Sequence, residues 1–166
     1  MAGTSEQATF AAGCFWGVEH YINKKFKGAI LKSAVGYTGG DAANPKYQAV
    51  CSGATGHAEA VRFEFDPSKA KYADLVEYFY RIHDPTTPNR QGNDVGTQYR
   101  SAVFYHDDEQ KRIAEEVTVE VQKKHYAGKR IATEIVPEQK WWDAEDYHQQ
   151  YLVNNPGGYC NHFERW

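Results

Sequence analysis

The sequence predicts an α+β protein, a two-layer sandwich in which helices cover one mixed sheet. Three observations carry this. Short apolar runs with strand character interleave with stretches that carry helical stripes. No internal repeat, low-complexity tract or linker divides the 166 residues, a length that suits one domain, 1–166, with a sizeable core. Two long polar stretches and a glycine-rich tail remain outside the periodic segments. Irregular loops of that length are uncommon in compact domains unless they carry function. Residues 1–8 and 161–166 are expected to be flexible.

Each element has its own justification. Thr9, Phe10, Ala11 and Ala12 read as a strand, and residues 18–26 as a helix. Residues 31–37 read as a strand entering a turn-rich stretch that runs to His57. In residues 60–65, Val61, Phe63 and Phe65 alternate with Arg62 and Glu64, as a half-buried strand requires, and Asp66-Pro67 ends the run. Leu75, Val76, Phe79 and Ile82 form a helical stripe within residues 72–82. Residues 83–98 are irregular, and 99–105 read as a strand. Asp107, Asp108 and Glu109 open a long charged helix that is basic by His125, the order the helix dipole favours, and Gly128 stops it. A short strand over 132–136, a helix over 144–152 and a loose tail over 154–162 complete the chain.

Composition narrows the function classes. Nineteen basic against 22 acidic side chains leave a formal charge of -3 with no basic block, so nucleic acid is not an expected partner. No apolar run approaches the roughly 20 residues that cross a bilayer, so no membrane association is expected. The first residues lack a basic and an apolar leader region, which predicts a cytoplasmic protein. Three cysteines are too few and too odd in number for a secreted disulfide framework, and they point to redox or catalytic thiols. No zinc-ligand spacing occurs.

Three features stand apart from packing. Cys14 falls at a strand-to-helix turn, where the positive end of the helix dipole would lower its pKa. Phe15 and Trp16 follow it and would wall an apolar pocket. A small buried hydrophobe is the competing reading of that cysteine. Glu59 sits at a loop end just before an apolar strand, with pairing to Arg62 as its ordinary alternative. Cys160 lies in a glycine-rich tail. A thiol on a rigid element and another on a mobile tail make sense as an attacking and resolving pair.

The motif Gly13-Cys14-Phe15-Trp16-Gly17 strongly resembles the active-site motif of the peptide methionine sulfoxide reductase A family. The resemblance continues in order through Gly36-Tyr37-Thr38-Gly39-Gly40, Asn44-Pro45-Lys46-Tyr47, Thr55-Gly56-His57-Ala58-Glu59, His83-Asp84-Pro85-Thr86 and the run from Gln91 to Ser101. It extends through Glu145-Asp146-Tyr147-His148 to Gly158-Tyr159-Cys160. It implies a ferredoxin-like core and thiol-dependent reduction of methionine-S-sulfoxide, free or in proteins, without metal or organic cofactor. It implies Cys14 as nucleophile, Phe15 and Trp16 as the pocket for the S-methyl group, and Glu59 as proton donor. Tyr47 and Tyr99 would bind the sulfoxide oxygen, and Asp94 would join the site through water. Cys160 would resolve a Cys14 sulfenic acid, with thioredoxin as reductant and a monomer as the working unit. Many family members carry a further tail cysteine; none follows Cys160 here, which implies a single resolving step.

The chemistry needs these residue types. Sulfoxide sulfur is a poor electrophile until its oxygen is protonated or strongly hydrogen-bonded. A carboxylic acid that donates near neutral pH needs a raised pKa, which an apolar pocket supplies. A thiol peroxidase and a non-enzymatic redox sensor are the competing classes; a carboxylic acid beside an aromatic pair favours the sulfoxide. Cys51, His57, His83 and His148 read as scaffold.

Overall fold

The computed structural model describes residues 5–160 and 162–166. In chain order its elements are strand β1 (Glu6–Ala12), helix α1 (Phe15–Lys25), β2 (Ile30–Thr38), α2 (Tyr47–Cys51), β3 (Ala58–Phe65) and α3 (Tyr72–Arg81). There follow β4 (Arg90–Gln91), β5 (Asp94–Val95), β6 (Ser101–Tyr105), α4 (Asp108–His125), β7 (Glu134–Pro137), β8 (Trp142–Asp143) and α5 (Tyr151–Asn154).

The main sheet has the order β7-β6-β1-β3-β2-β8. Its four central strands, with α1 and α3 as the two connecting helices, form the ferredoxin-like β-α-β-β-α-β unit. All pairs are antiparallel except β6 with β7. Side-chain alternation assigns the two faces. Ala8, Phe10 and Ala12 of β1 and Val61, Phe63 and Phe65 of β3 enter the main core, together with Phe15, Val18 and Ile22 of α1 and Leu75, Val76 and Phe79 of α3. The opposite face holds a small cluster of Ala11, Ala58, Ala60, Ala102 and Phe104 under Trp141. Glu59 has the parity of Val61, so its side chain leaves β3 on the helix-covered face, and Arg62 leaves on the other. That places Glu59 toward α1 and away from its expected ordinary partner. Arg62 lies over the Trp141 ring, 4.6 Å from its centroid.

Several sequence expectations need correction. The start of the chain is not loose as far as it is described: Glu6, Gln7 and Ala8 pair with Phe65, Glu64 and Phe63. Nor is the end loose: the Arg165 amide donates to the Arg81 carbonyl at 2.8 Å, and Trp166 stacks on His125 at 3.6 Å. Residues 1–4 and Asn161, part of the same expectation, lie outside the described residues. The helix expected over 144–152 is broken. A 3-10 turn, Asp146–His148, and α5 are separated by Gln149 and a left-handed Gln150 (φ 54°). Glu19 of α1 holds that unfavourable backbone in place, accepting hydrogen bonds from the Gln150 amide (2.9 Å) and side chain (2.8 Å). The expected irregular stretch before β3 contains α2, too short and polar to announce itself. The strand expected from Tyr99 starts at Ser101, after a 3-10 turn over Thr97–Tyr99. Asp107 is confirmed as a helix start, its carboxylate capping the Gln110 amide at 2.8 Å.

Candidate active site

Cys14 is the residue immediately before α1, at the end of β1. Gly13 makes the turn possible. Its φ is +90°, and a Cβ there would stand 2.6 Å from Gln91 Cγ. The thiol meets the backbone amides of Trp16 and Gly17, which favour its charged form. Burial and the nearby Glu59 carboxyl oppose them and win: the thiol is pushed up, far above its ordinary range. The expectation of a thiol activated by the helix end alone is therefore corrected. At 6% exposure the lost hydration outweighs the dipole and favours the protonated thiol.

Glu59 is 1% exposed. Its Oε1 accepts the Phe15 amide at 3.3 Å, and its Oε2 has no hydrogen-bond partner among the described residues. Burial first, then the charge of Asp94, raise its pKa to about 8 against the pull of that one amide. A carboxylic acid that keeps its proton at neutral pH thus sits within electrostatic reach of the Cys14 thiol.

The two phenols come from irregular chain. Tyr47 opens α2, and its amide donates to Glu145 Oε2 at 3.1 Å. Tyr99 ends the 3-10 turn before β6. Both hydroxyls lie within electrostatic reach of the Cys51 thiol and of the Glu59 carboxyl, so the four groups form one cluster. Burial drives both phenols upward and keeps them neutral donors. Asp94 accepts from the Tyr159 hydroxyl at 3.2 Å. Burial lifts its pKa against that bond, and its charge reaches both Cys14 and Glu59.

Phe15 is fully buried against Tyr37 (5.8 Å), Tyr47 (6.5 Å) and His148 (5.2 Å). Trp16 is half-buried. Its indole stacks on Tyr151 at 3.8 Å, 11° from parallel, and its N–H donates to His148 Nδ1 at 2.9 Å. Tyr151 escaped the sequence reading, and His148 was assigned to scaffold alone. Residues 144–152 read as one helix in the sequence, whereas the break at Gln150 brings His148 and Tyr151 together onto Trp16. His57 and His83 are scaffold, as expected: His57 Nδ1 accepts the Gly40 amide (3.0 Å), and His83 bridges the Phe79 carbonyl (2.6 Å) and Ser101 Oγ (2.7 Å).

Cys160 is exposed on the tail and, like Cys14 and Cys51, unpaired. Its Sγ lies over Gly17, 2.9 Å from where a Cβ would stand, one turn along α1 from Cys14. Among the described residues no group of three or more His, Cys, Asp or Glu is placed to hold a metal ion, and no helix is long and apolar enough to cross a membrane.

Comparison with known proteins turns this geometry into an assignment. The family model "Peptide methionine sulfoxide reductase" matches residues 6–165. The chain belongs to that family. It is 56% identical over 163 residues to the "Probable peptide methionine sulfoxide reductase" of Schizosaccharomyces pombe, covering 96% of each chain. It is 51% identical over 155 residues to the methionine sulfoxide reductase MsrA of Methanothermobacter thermautotrophicus, covering 93% of this chain and 90% of that one. Mxr1 from Saccharomyces cerevisiae in its reduced form superimposes with a TM-score of 0.92 at 40% identity, over 98% of this chain and 93% of that one. A further structure, Mxr1 in complex with Trx2, matches at TM-score 0.69 and 28% identity, over 100% of this chain and 95% of that one. The protein is a methionine sulfoxide reductase of type A.

Proposed function

We propose that the protein reduces the S epimer of methionine sulfoxide, free and in proteins, by a sulfenic acid cycle through Cys14 and Cys160. The observation that carries this is Glu59: a buried carboxyl with a pKa near 8, one oxygen unpartnered, beside a buried thiol. The substrate methyl group packs against Phe15 and Trp16. The sulfoxide oxygen lies among Tyr47, Tyr99 and Glu59, where Asp94 helps keep the Glu59 proton on. The Cys14 sulfur attacks the sulfoxide sulfur as the Glu59 proton moves to the oxygen, and the Cys14 proton passes to the carboxylate that Glu59 leaves behind. The hydroxyl then moves to the Cys14 sulfur as its bond to the substrate sulfur and the bond between the two sulfurs break, leaving methionine, Cys14 sulfenic acid and Glu59 protonated again. Neutral phenols and a neutral acid suit a site where charge develops on oxygen without bulk water.

Cys160 then closes a disulfide with Cys14 and releases the oxygen as water. A thioredoxin reduces that disulfide. The likeness to Mxr1 in complex with Trx2 supports this partner, and so does the exposure of Cys160.

The test is incubation with dithiothreitol and racemic methionine sulfoxide, followed by chiral separation. The expected result is loss of the S epimer with the R epimer untouched. Loss of the R epimer, or of neither, overturns the reading.

A further inference from the structure

The tail is tied down on both sides of Cys160. On one side the Tyr159 hydroxyl donates to Asp94 Oδ2 at 3.2 Å. On the other, the His162 ring is 4% exposed, and its Nε2–H donates to the Ala12 carbonyl at 2.7 Å. A ring nitrogen facing a carbonyl must carry the proton, so Nδ1 holds the lone pair; it is buried without a partner among the described residues. Burial also lowers the pKa of this ring to about 4, so it stays neutral. The ring lies flush on Gly17, where a Cβ would stand 2.2 Å from Nδ1 as well as 2.9 Å from Cys160 Sγ. Gly17 is an ordinary helical residue with no left-handed φ. The absence of its side chain serves the close approach of the tail. Its position is three residues after Cys14, on the same face of α1, and Ala12 is two residues before Cys14.

We infer that His162 is a positioning residue for the resolving half of the cycle, pinning the tail into the seat at Gly17 so that Cys160 meets oxidised Cys14. This rests on the proposed role of Cys160. In the step concerned, Cys160 sulfur attacks the Cys14 sulfenic sulfur. The S–S bond forms and the S–O bond breaks. Hydroxide departs and takes up the Cys160 proton as water, so no further oxidant or reductant enters. A thiol on a chain fixed at both sides has a higher effective concentration at its target than one on a free end. His162 takes no part in attack on the sulfoxide.

The test uses the full chain and its His162→Ala, His162→Gln and Gly17→Ala variants, mixed with one equivalent of methionine sulfoxide and no reductant. Rapid quench reads methionine release; thiol counting and trapping with dimedone read the sulfenic acid and its closure. In His162→Ala methionine release keeps its wild-type rate. Disulfide formation slows about tenfold, the worth of one buried hydrogen bond in a rate, and dimedone captures more Cys14. Gln, whose amide reaches the Ala12 carbonyl, restores part of the rate. Gly17→Ala, which fills the seat from the other side, reproduces the defect. Closure at the wild-type rate in His162→Ala overturns the inference, as does an equal slowing of both steps, which would mark a general support of the fold. If the wild type itself releases methionine and forms no Cys14–Cys160 disulfide, the role of Cys160 falls, and this inference with it.

Discussion

The two sides of the site are built differently. Cys14, Phe15 and Glu59 stand at the N-terminal cap of α1, in α1 and on β3, in the rigid centre of the sheet and its first helix, at 6, 0 and 1% exposure. Tyr47, Tyr99, Asp94 and Cys160 come from short turns and the tail, and Tyr159 beside Cys160 is 48% exposed. The buried side raises the pKa of the acid and suppresses water. In the proposed cycle the outer side holds the groups that admit the substrate and then the reductant. The difference suits a division of labour: in that cycle the bond-breaking groups need a dry, fixed geometry, and recycling needs a thiol that another protein can reach.

The largest effect should come from the rigid side. Cys14→Ser removes measurable methionine formation, since a hydroxyl is not ionised at working pH. Turnover by that variant in the dithiothreitol assay would place the nucleophile elsewhere. The outer side fails differently. Cys160→Ser should release one methionine per enzyme at the normal rate, then stall with thioredoxin and resume in part with dithiothreitol. Undiminished thioredoxin-dependent turnover would move the resolving role to Cys51.

Glu59→Gln should slow the first turnover by roughly 10²–10⁴-fold, the usual worth of a positioned general acid. It also removes the charge that raises the Cys14 pKa, so the thiol should ionise at lower pH, read as iodoacetamide alkylation against pH. An unchanged alkylation profile would show that the two groups do not share a field. Stability carries the same signature. With its folded pKa raised to about 8 from the ordinary 4.5, Glu59 favours the fold most below the unfolded value, and that favour fades as pH rises through 8. Glu59→Gln should therefore gain on the wild type in denaturant midpoint between those limits and run parallel beyond them. The smallest effect sharpens the boundary between the two sides. Tyr151→Ala strips the stack from Trp16 and should raise KM about two- to tenfold with less change in kcat, as loss of one aromatic pair would.

The sequence made the rigid side legible and the outer side only partly so. Alternation in β3, the stripe in α3 and the cap at Asp107 are local signals, and all three elements form where expected. Glu59 facing α1 also follows from counting parity along β3. The break at Gln150 does not, because it depends on Glu19, 131 residues away. The burial of His162 depends likewise on the Ala12 carbonyl, 150 residues away. The upward pull on the Cys14 pKa is hidden for the same reason: a helix end is visible in sequence, but the depth at which it is buried is not.

That depth has a consequence for the life of the enzyme. Its substrates arise wherever peroxides are abundant, and peroxides attack thiolates far faster than thiols. Burial that holds the Cys14 proton on makes this sulfur a poor target for such an oxidant. The depth that raises its pKa thereby also guards it against overoxidation to a sulfinic acid.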